Sequence, residues 1–232
     1  MQCLKLVGKS IVFSEINTNN HQSNSSFYLV EFIKLLKKIV LCYNMMIATE
    51  IQMPDDENVI RDYLLFNYLK NDDIRREIEL TNYIFDREVP EDNNEGRTDI
   101  KIQTIQSFIE TKAYYIIECK RLNNRNLRGS SGLNSEYIRN GIFRFVGEKY
   151  SSYCGVNGMM GFIVEDIDIE GNTDNLNYVN EQYFPETNTE QGLQKVDCVE
   201  GYEYIYKSRH KTLSGNNLIL YHLMLDFSDN IT

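Results

Sequence analysis

Proline is scarce in this sequence, three in 232 residues, and no long Gly/Ser tract interrupts it, so no interdomain linker is written into the chain. Its five cysteines, Cys3, Cys42, Cys119, Cys154 and Cys198, are scattered, odd in number and never spaced C-x-x-C. That pattern argues against a zinc site or a disulfide framework and fits a reducing, cytoplasmic setting. Histidine is scarcer still: His21, His210 and His222 lack metal-ligand spacing. No signal peptide is recognisable at the start. The apolar stretch over 27–48 is broken by Glu31, Lys34, Lys37 and Lys38, which argues against a membrane span. Positive charge is also short, with 24 Lys and Arg against 34 Asp and Glu and a net charge of −10. Phosphate contacts rely on Lys and Arg, so the overall balance points away from a nucleic-acid binder.

Position changes that reading. Residues 165–205 hold eleven acids (Glu165, Asp166, Asp168, Glu170, Asp174, Glu181, Glu186, Glu190, Asp197, Glu200 and Glu203) against Lys195, and the rest of the chain balances at 23 against 23. Residues 120–149 are locally basic, with Lys120, Arg121, Arg125, Arg128, Arg139, Arg144 and Lys149 against Glu136 and Glu148. An apolar fraction of 42%, with 16 Tyr and 11 Phe, supplies a sizeable core. The expected organisation is one domain over 50–232, preceded by an extension over 1–49 with one amphipathic helix.

Within that extension the stretch up to residue 25 is polar, Asn/Ser-rich from Asn17, and reads as loosely ordered. Residues 27–46 predict a helix, with Leu29, Phe32, Ile33, Leu36, Ile39 and Val40 on one face and Lys34, Lys37 and Lys38 solvated. Met45 and Met46 stand just before the domain. A translation start there would make the first 44 residues an extension foreign to the native protein, and native protein bearing upstream residues refutes it.

Pro54 and the acids Asp55, Asp56 and Glu57 suit the first turn of a helix that buries Val59, Ile60, Tyr63, Leu64, Phe66 and Leu69. A helical turn over 72–80, a strand over 82–89 and a turn at 91–96 follow. A loop over 123–133 leads to a helix starting at Asn134 or Ser135 and running toward Tyr150, with Ile138, Ile142, Phe145 and Val146 inward. Gly155, Gly158 and Gly161 precede a strand expected at 161–164 instead of opening a helix, so they read as a flexible turn and not a nucleotide loop. Asp166, Asp168 and Glu170 alternate as on one strand face. Strands at 202–206 and 218–227 close the sheet, with Ser208, Arg209, His210 and Lys211 between them as phosphate-contact candidates and His222 in the core.

The richest stretch is 97–121, which reads R-T-D-I-K-I, then A-Y-Y-I-I, then E-C-K-R. Asp99, Lys101 and Gln103 share one face of an alternating strand and Ile100 and Ile102 the other. The run from Ala113 to Ile117 suits a buried strand, and Glu118 and Lys120, two apart at its end, share a face. Paired as a hairpin, the two strands bring two carboxylates and one ammonium together, a set that can bind a hard divalent cation and act on its water.

This arrangement resembles the active site of the PD-(D/E)XK nuclease superfamily, the restriction-endonuclease-like fold, with Thr98 where the family often has proline. The resemblance implies an α/β (α+β) chain with a restriction-endonuclease-like core, a central mixed β-sheet flanked by helices, and here an appended N-terminal helix. It implies Mg2+ or Mn2+ held by Asp99, Glu118 and the carbonyl of Cys119, with Glu57 as a further ligand from the first helix, and Lys120 activating water. Arg121, Arg125 and Arg139 are the candidates for the substrate phosphate. The function so implied is hydrolysis of phosphodiester bonds in nucleic acid, DNA foremost, in defence against foreign DNA or in repair, with a second copy in a homodimer or a basic protein as the candidate protein partner. The alternative is a catalytically silent protein of the same fold that binds a basic protein partner through its acidic segment 165–205.

Overall fold

The structure, a computed structural model, describes residues 21–90 and 97–232, with side chains from 26 to 89 and from 97 onward. The loosely ordered stretch expected before residue 21 and the turn expected at 91–96 lie outside the described residues. Helix α1 (His21–Ile47) begins earlier than its periodicity predicts, so residues 21–25 are helical. Helix α2 (Glu57–Leu64) is capped by the Asp56 carboxylate, which accepts the Asn58 and Val59 N–H groups. It runs on as a π-helical turn, Leu65–Leu69, and a short α3 (Asp72–Glu77) follows. The wider turn rotates the buried stripe, so Leu65 and Tyr68 go inward while the expected Phe66 is exposed; Val59, in the first turn of α2, is also exposed.

Seven strands form one mixed sheet among the described residues. They are β1 (Ile84–Pro90), β2 (Arg97–Gln103), β3 (Tyr114–Leu122), β4 (Val156–Ile163), β5 (Thr189–Lys195), β6 (Ile205–Lys211) and β7 (Asn217–Asp226). Their order is β1-β2-β3-β4-β7-β6-β5. β1, β2 and β3 are antiparallel, β4 is parallel to β3 and β7, and β6 and β5 add on antiparallel. Between β3 and β4 lie α4 (Leu133–Tyr137), a π-helical turn over Ile138–Ile142 and α5 (Phe143–Val146); α6 (Ile169–Tyr183) joins β4 to β5. No helix among the described residues is long and apolar enough to cross a membrane.

Alternation along β3 divides the core. Tyr115, Ile117 and Cys119 pack with Ile100 and Ile102 of β2 and with Phe32, Leu36, Ile39, Ile60 and Leu64 of α1 and α2. Tyr114, Ile116 and Leu122 point the other way, to Tyr137, Ile138, Ile142 and Phe145 over β3 and to Leu176 and Val179 of α6. Glu118 and Lys120 belong to that second face by parity.

Several elements depart from the sequence expectation. Gly158 and Gly161 are not a turn but lie inside β4, which starts at Val156 and is buried throughout. A Cβ at Gly158 would stand 2.9 Å from Phe32 Cζ and 3.1 Å from Ile117 Cγ1, so the glycine is there for close packing. Asp166, Asp168 and Glu170 are not on a strand: Asp168 caps α6, accepting the Gly171 N–H at 3.0 Å. Ser208 to Lys211 form most of β6 rather than a loop, which buries Ser208 and His210.

Candidate active site

The β2–β3 ladder runs from Gln103↔Tyr114 to Ile100↔Ile117. One step further Asp99 Oδ2 accepts the Cys119 N–H at 2.8 Å, so a carboxylate takes the place of a strand partner. On the outer side, Glu88 lies between the pairs Arg87↔Ile100 and Val89↔Thr98 with φ +49°, in the left-handed region. A non-glycine residue there stores about 1–3 kcal/mol of strain. Backbone irregularity on both sides therefore marks Asp99.

Four oxygens surround the Lys120 ammonium. Nζ donates to Cys119 O at 2.5 Å and Glu57 Oε1 at 3.0 Å, and lies 2.9 Å from Glu118 Oε1 and 3.7 Å from Asp99 Oδ2. Glu57 arrives from the first turn of α2 and is fixed by its Oε2, which accepts the Arg121 N–H at 3.1 Å. The set proposed from sequence, Asp99, Glu118, Lys120, Glu57 and the Cys119 carbonyl, is thus one cluster drawn from α2, β2 and β3.

Residues that the sequence leaves unmarked complete it. Arg61, one helical turn after Glu57 and therefore on the same side of α2, donates to Asp99 Oδ1 at 3.1 Å and to Glu88 Oε1 at 3.2 Å. From α5, Arg144 NH1 donates to Glu118 Oε1 at 2.7 Å and to the Tyr150 hydroxyl at 2.8 Å. Tyr150 Oη in turn lies 2.6 Å from Glu118 Oε2 and 2.9 Å from Arg97 O. That hydroxyl has one proton for two acceptors. With Glu118 ionised the proton goes to Oε2; with Glu118 protonated, Oε2 donates to Tyr150 and the phenol turns to Arg97 O.

Burial, foremost, and the neighbouring Asp99 carboxylate push the Glu118 carboxyl up to about 7, against the opposing pull of Lys120, Arg144 and Tyr150. Burial alone would discharge Lys120, but Glu118, Asp99 and Glu57 outweigh it and hold its pKa above the ordinary lysine value. Lys120 is therefore an ammonium in this state and not a base.

Among the described residues no three His, Cys, Asp or Glu side chains stand in metal-holding geometry; the oxygens close on the ammonium. By donor type the residues fit a hard divalent cation, since carboxylates and a backbone carbonyl are the ligands such ions take.

The three phosphate candidates are held elsewhere. Arg121 donates to Asp55 through its carboxylate at 2.7 Å and its carbonyl at 2.9 Å. Arg125, 76% exposed, pairs with Glu165 at 2.6 Å. Arg139 donates to Ser130 O at 3.1 Å and lies over the Phe184 ring at 5.2 Å.

On the same sheet face, a sealed polar chain crosses β6 and β7. His210 Nδ1 is 3.0 Å from Thr187 O, a carbonyl that only accepts, so Nδ1 carries the proton and Nε2 accepts from Ser208 at 2.7 Å. Ser208 Oγ then accepts from His222 Nε2 at 2.7 Å, and His222 Nδ1 accepts from the Tyr137 hydroxyl at 2.9 Å. Every partner is satisfied with both imidazoles neutral, and no phosphate reaches Ser208 or His210 in this position. Comparison of the chain with protein-family models, curated proteins and solved structures finds no match.

Proposed function

We propose that the chain is a divalent-cation-dependent nuclease of the PD-(D/E)XK type on a restriction-endonuclease-like core, hydrolysing phosphodiester bonds of nucleic acid, DNA foremost. The observation that carries this is the convergence of Asp99, Glu118, Glu57 and the Cys119 carbonyl on the Lys120 ammonium. The short α3 aside, the element order α2, β1, β2, β3, α4–α5, β4 matches the helix, three strands, helix and strand of the core that the resemblance implies, and it supports the reading.

Asp99, Glu118, Glu57 and the Cys119 carbonyl would hold Mg2+ or Mn2+, which supplies Lewis-acid polarisation of the phosphate and a more acidic bound water. Lys120 sits among these oxygens with its charge intact. It donates hydrogen bonds that orient a nucleophilic water and offset the negative charge that grows on the phosphoryl oxygens. Arg61 holds the Asp99 carboxylate aimed through its hydrogen bond to Oδ1. Tyr150 and Arg144 fix both oxygens of Glu118, so the carboxylate enters the reaction already placed.

The test is incubation of plasmid, single-stranded DNA and RNA with the purified protein in Mg2+, Mn2+ or EDTA. Cation-dependent cleavage is expected, reduced about 10²- to 10⁴-fold in Asp99→Ala and Lys120→Ala that keep the wild-type circular dichroism. Full activity in either variant refutes the assignment. The partner-binding reading is favoured by the solvent-exposed side chains of ten of the eleven acids in 165–205, Glu165 being half-buried. It requires a folded protein that cleaves nothing with any cation.

A further inference from the structure

Two guanidinium groups touch the site carboxylates, and they differ in one respect. Arg61 is 2% exposed and its fork is spent on Asp62, Glu88 and Asp99. Arg144 is 34% exposed, and a single nitrogen, NH1, makes both of its bonds, to Glu118 Oε1 and Tyr150 Oη. Its Nε and NH2 have no protein partner among the described residues. Guanidinium presents up to five donors in a planar fork that matches the non-bridging oxygens of a phosphate. The Arg121 side chain also bonds through NH1 alone, to Asp55, but by strand parity it leaves β3 on the face opposite Glu118 and Lys120, while Arg125 and Arg139 are held at Glu165 and Ser130. A phosphodiester placed for attack beside Glu118 and Lys120 would therefore meet Arg144, whose NH1 lies 2.7 Å from Glu118 Oε1 and whose other donors are unspent.

We propose that Arg144 is the substrate-phosphate-binding residue of this site, its NH1 anchored on Glu118 and Tyr150 while Nε and NH2 bind the non-bridging oxygens of the phosphodiester. The inference rests on the nuclease reading above. The anchoring restricts the side chain before substrate arrives, so less rotamer freedom is lost on binding than for a solvated arginine. It also couples the phosphate position to the Glu118 carboxylate through one rigid plane.

The experiment has two readouts. Affinity for a fluorescent oligonucleotide is measured in Ca2+ over a series of salt concentrations, and Mn2+ affinity is measured by calorimetry without nucleic acid, for wild type, Arg144→Gln and Arg144→Lys. Arg144→Gln is expected to bind the oligonucleotide about 10- to 100-fold more weakly. The slope of log affinity against log salt should fall by about 0.7–0.9, the loss of one phosphate contact. Its Mn2+ affinity, which Arg144 affects only through the placing of Glu118, should fall less than its oligonucleotide affinity, and Arg144→Lys should restore the slope. A wild-type slope in a folded Arg144→Gln, or a loss of Mn2+ affinity with the slope unchanged, overturns the proposal and leaves Arg144 as a prop for Glu118. A wild-type protein that neither cleaves nor binds nucleic acid with any cation overturns the nuclease reading itself, and the proposal with it.

Discussion

His210 and His222 are held neutral by desolvation, and the chain Thr187–His210–Ser208–His222–Tyr137 has no place for another proton. Burial pushes His210 down to about 4 and His222 well below the ordinary imidazole value. The unfolded chain takes up protons near pH 6.5, whereas folded His210 does so only near 4. In that window the unfolded state binds more protons, so stability rises with pH and is lost on acidification from about 6.5 to about 4. The His210 share is about 3 kcal/mol. Urea unfolding at a series of pH values should show this loss, and His210→Gln should flatten the profile. Equal stability at both ends of the window would mean that the network tolerates charge.

Elements carry the site as much as residues do. The hairpin β2–β3 is readable from sequence because each strand keeps its alternation: Ile100 and Ile102 against Asp99 and Lys101, and an apolar run ending in Glu118 and Lys120. Parity then brings the two acids and the lysine together. Arg61, Arg144 and Tyr150 leave no comparable trace, since their closeness to Asp99 and Glu118 is set by how α2 and α5 pack on the sheet. Helix α6 and strand β5 are hidden for another reason. The helix buries Asn172, Thr173 and Asn180 beside Leu176 and Val179, which is tolerable because Asn134 and Thr189 meet the asparagine amides, and β5 buries only Leu193. The glycines of β4 mislead in the opposite direction, since local rules read them as turns while tertiary contact uses their missing side chains. Gly158→Ala should accordingly destabilise by about 1–3 kcal/mol in thermal or urea unfolding, by overpacking against Phe32 and Ile117. A stabilised variant would show that α1 yields without strain.

At the scale of the whole molecule, α1 is part of the core. Phe32, Leu35, Leu36, Ile39, Cys42 and Met46 are at most 1% exposed and belong to the same cluster as Ile117, Met160 and Phe162 of the sheet. Its Tyr43 hydroxyl donates to Asp226 O at 2.7 Å, tying the helix to the end of β7. A chain starting at Met45 would lose all of these but Met46 and bare one face of β3 and β4. It should aggregate or show no cooperative thermal transition, and Leu35→Ala in the full chain should cost about 2–5 kcal/mol. A truncated protein that melts like the full chain would refute this. The site hangs on the same packing, because α2, which supplies Glu57 and Arg61, shares that cluster through Ile60 and Leu64.

The Cys119 amide is bound to the Asp99 side chain and not to the backbone of the neighbouring strand. Its proton is therefore a reporter that the molecule already carries. Any ligand that draws on the Asp99 carboxylate weakens the bond to that one N–H while the ladder from Ile100 to Gln103 stays closed. In an amide spectrum, a single cross-peak deep in the sheet would shift and exchange faster on titration, with its neighbours still. Occupancy of the centre could be followed in this way without substrate, turnover or label.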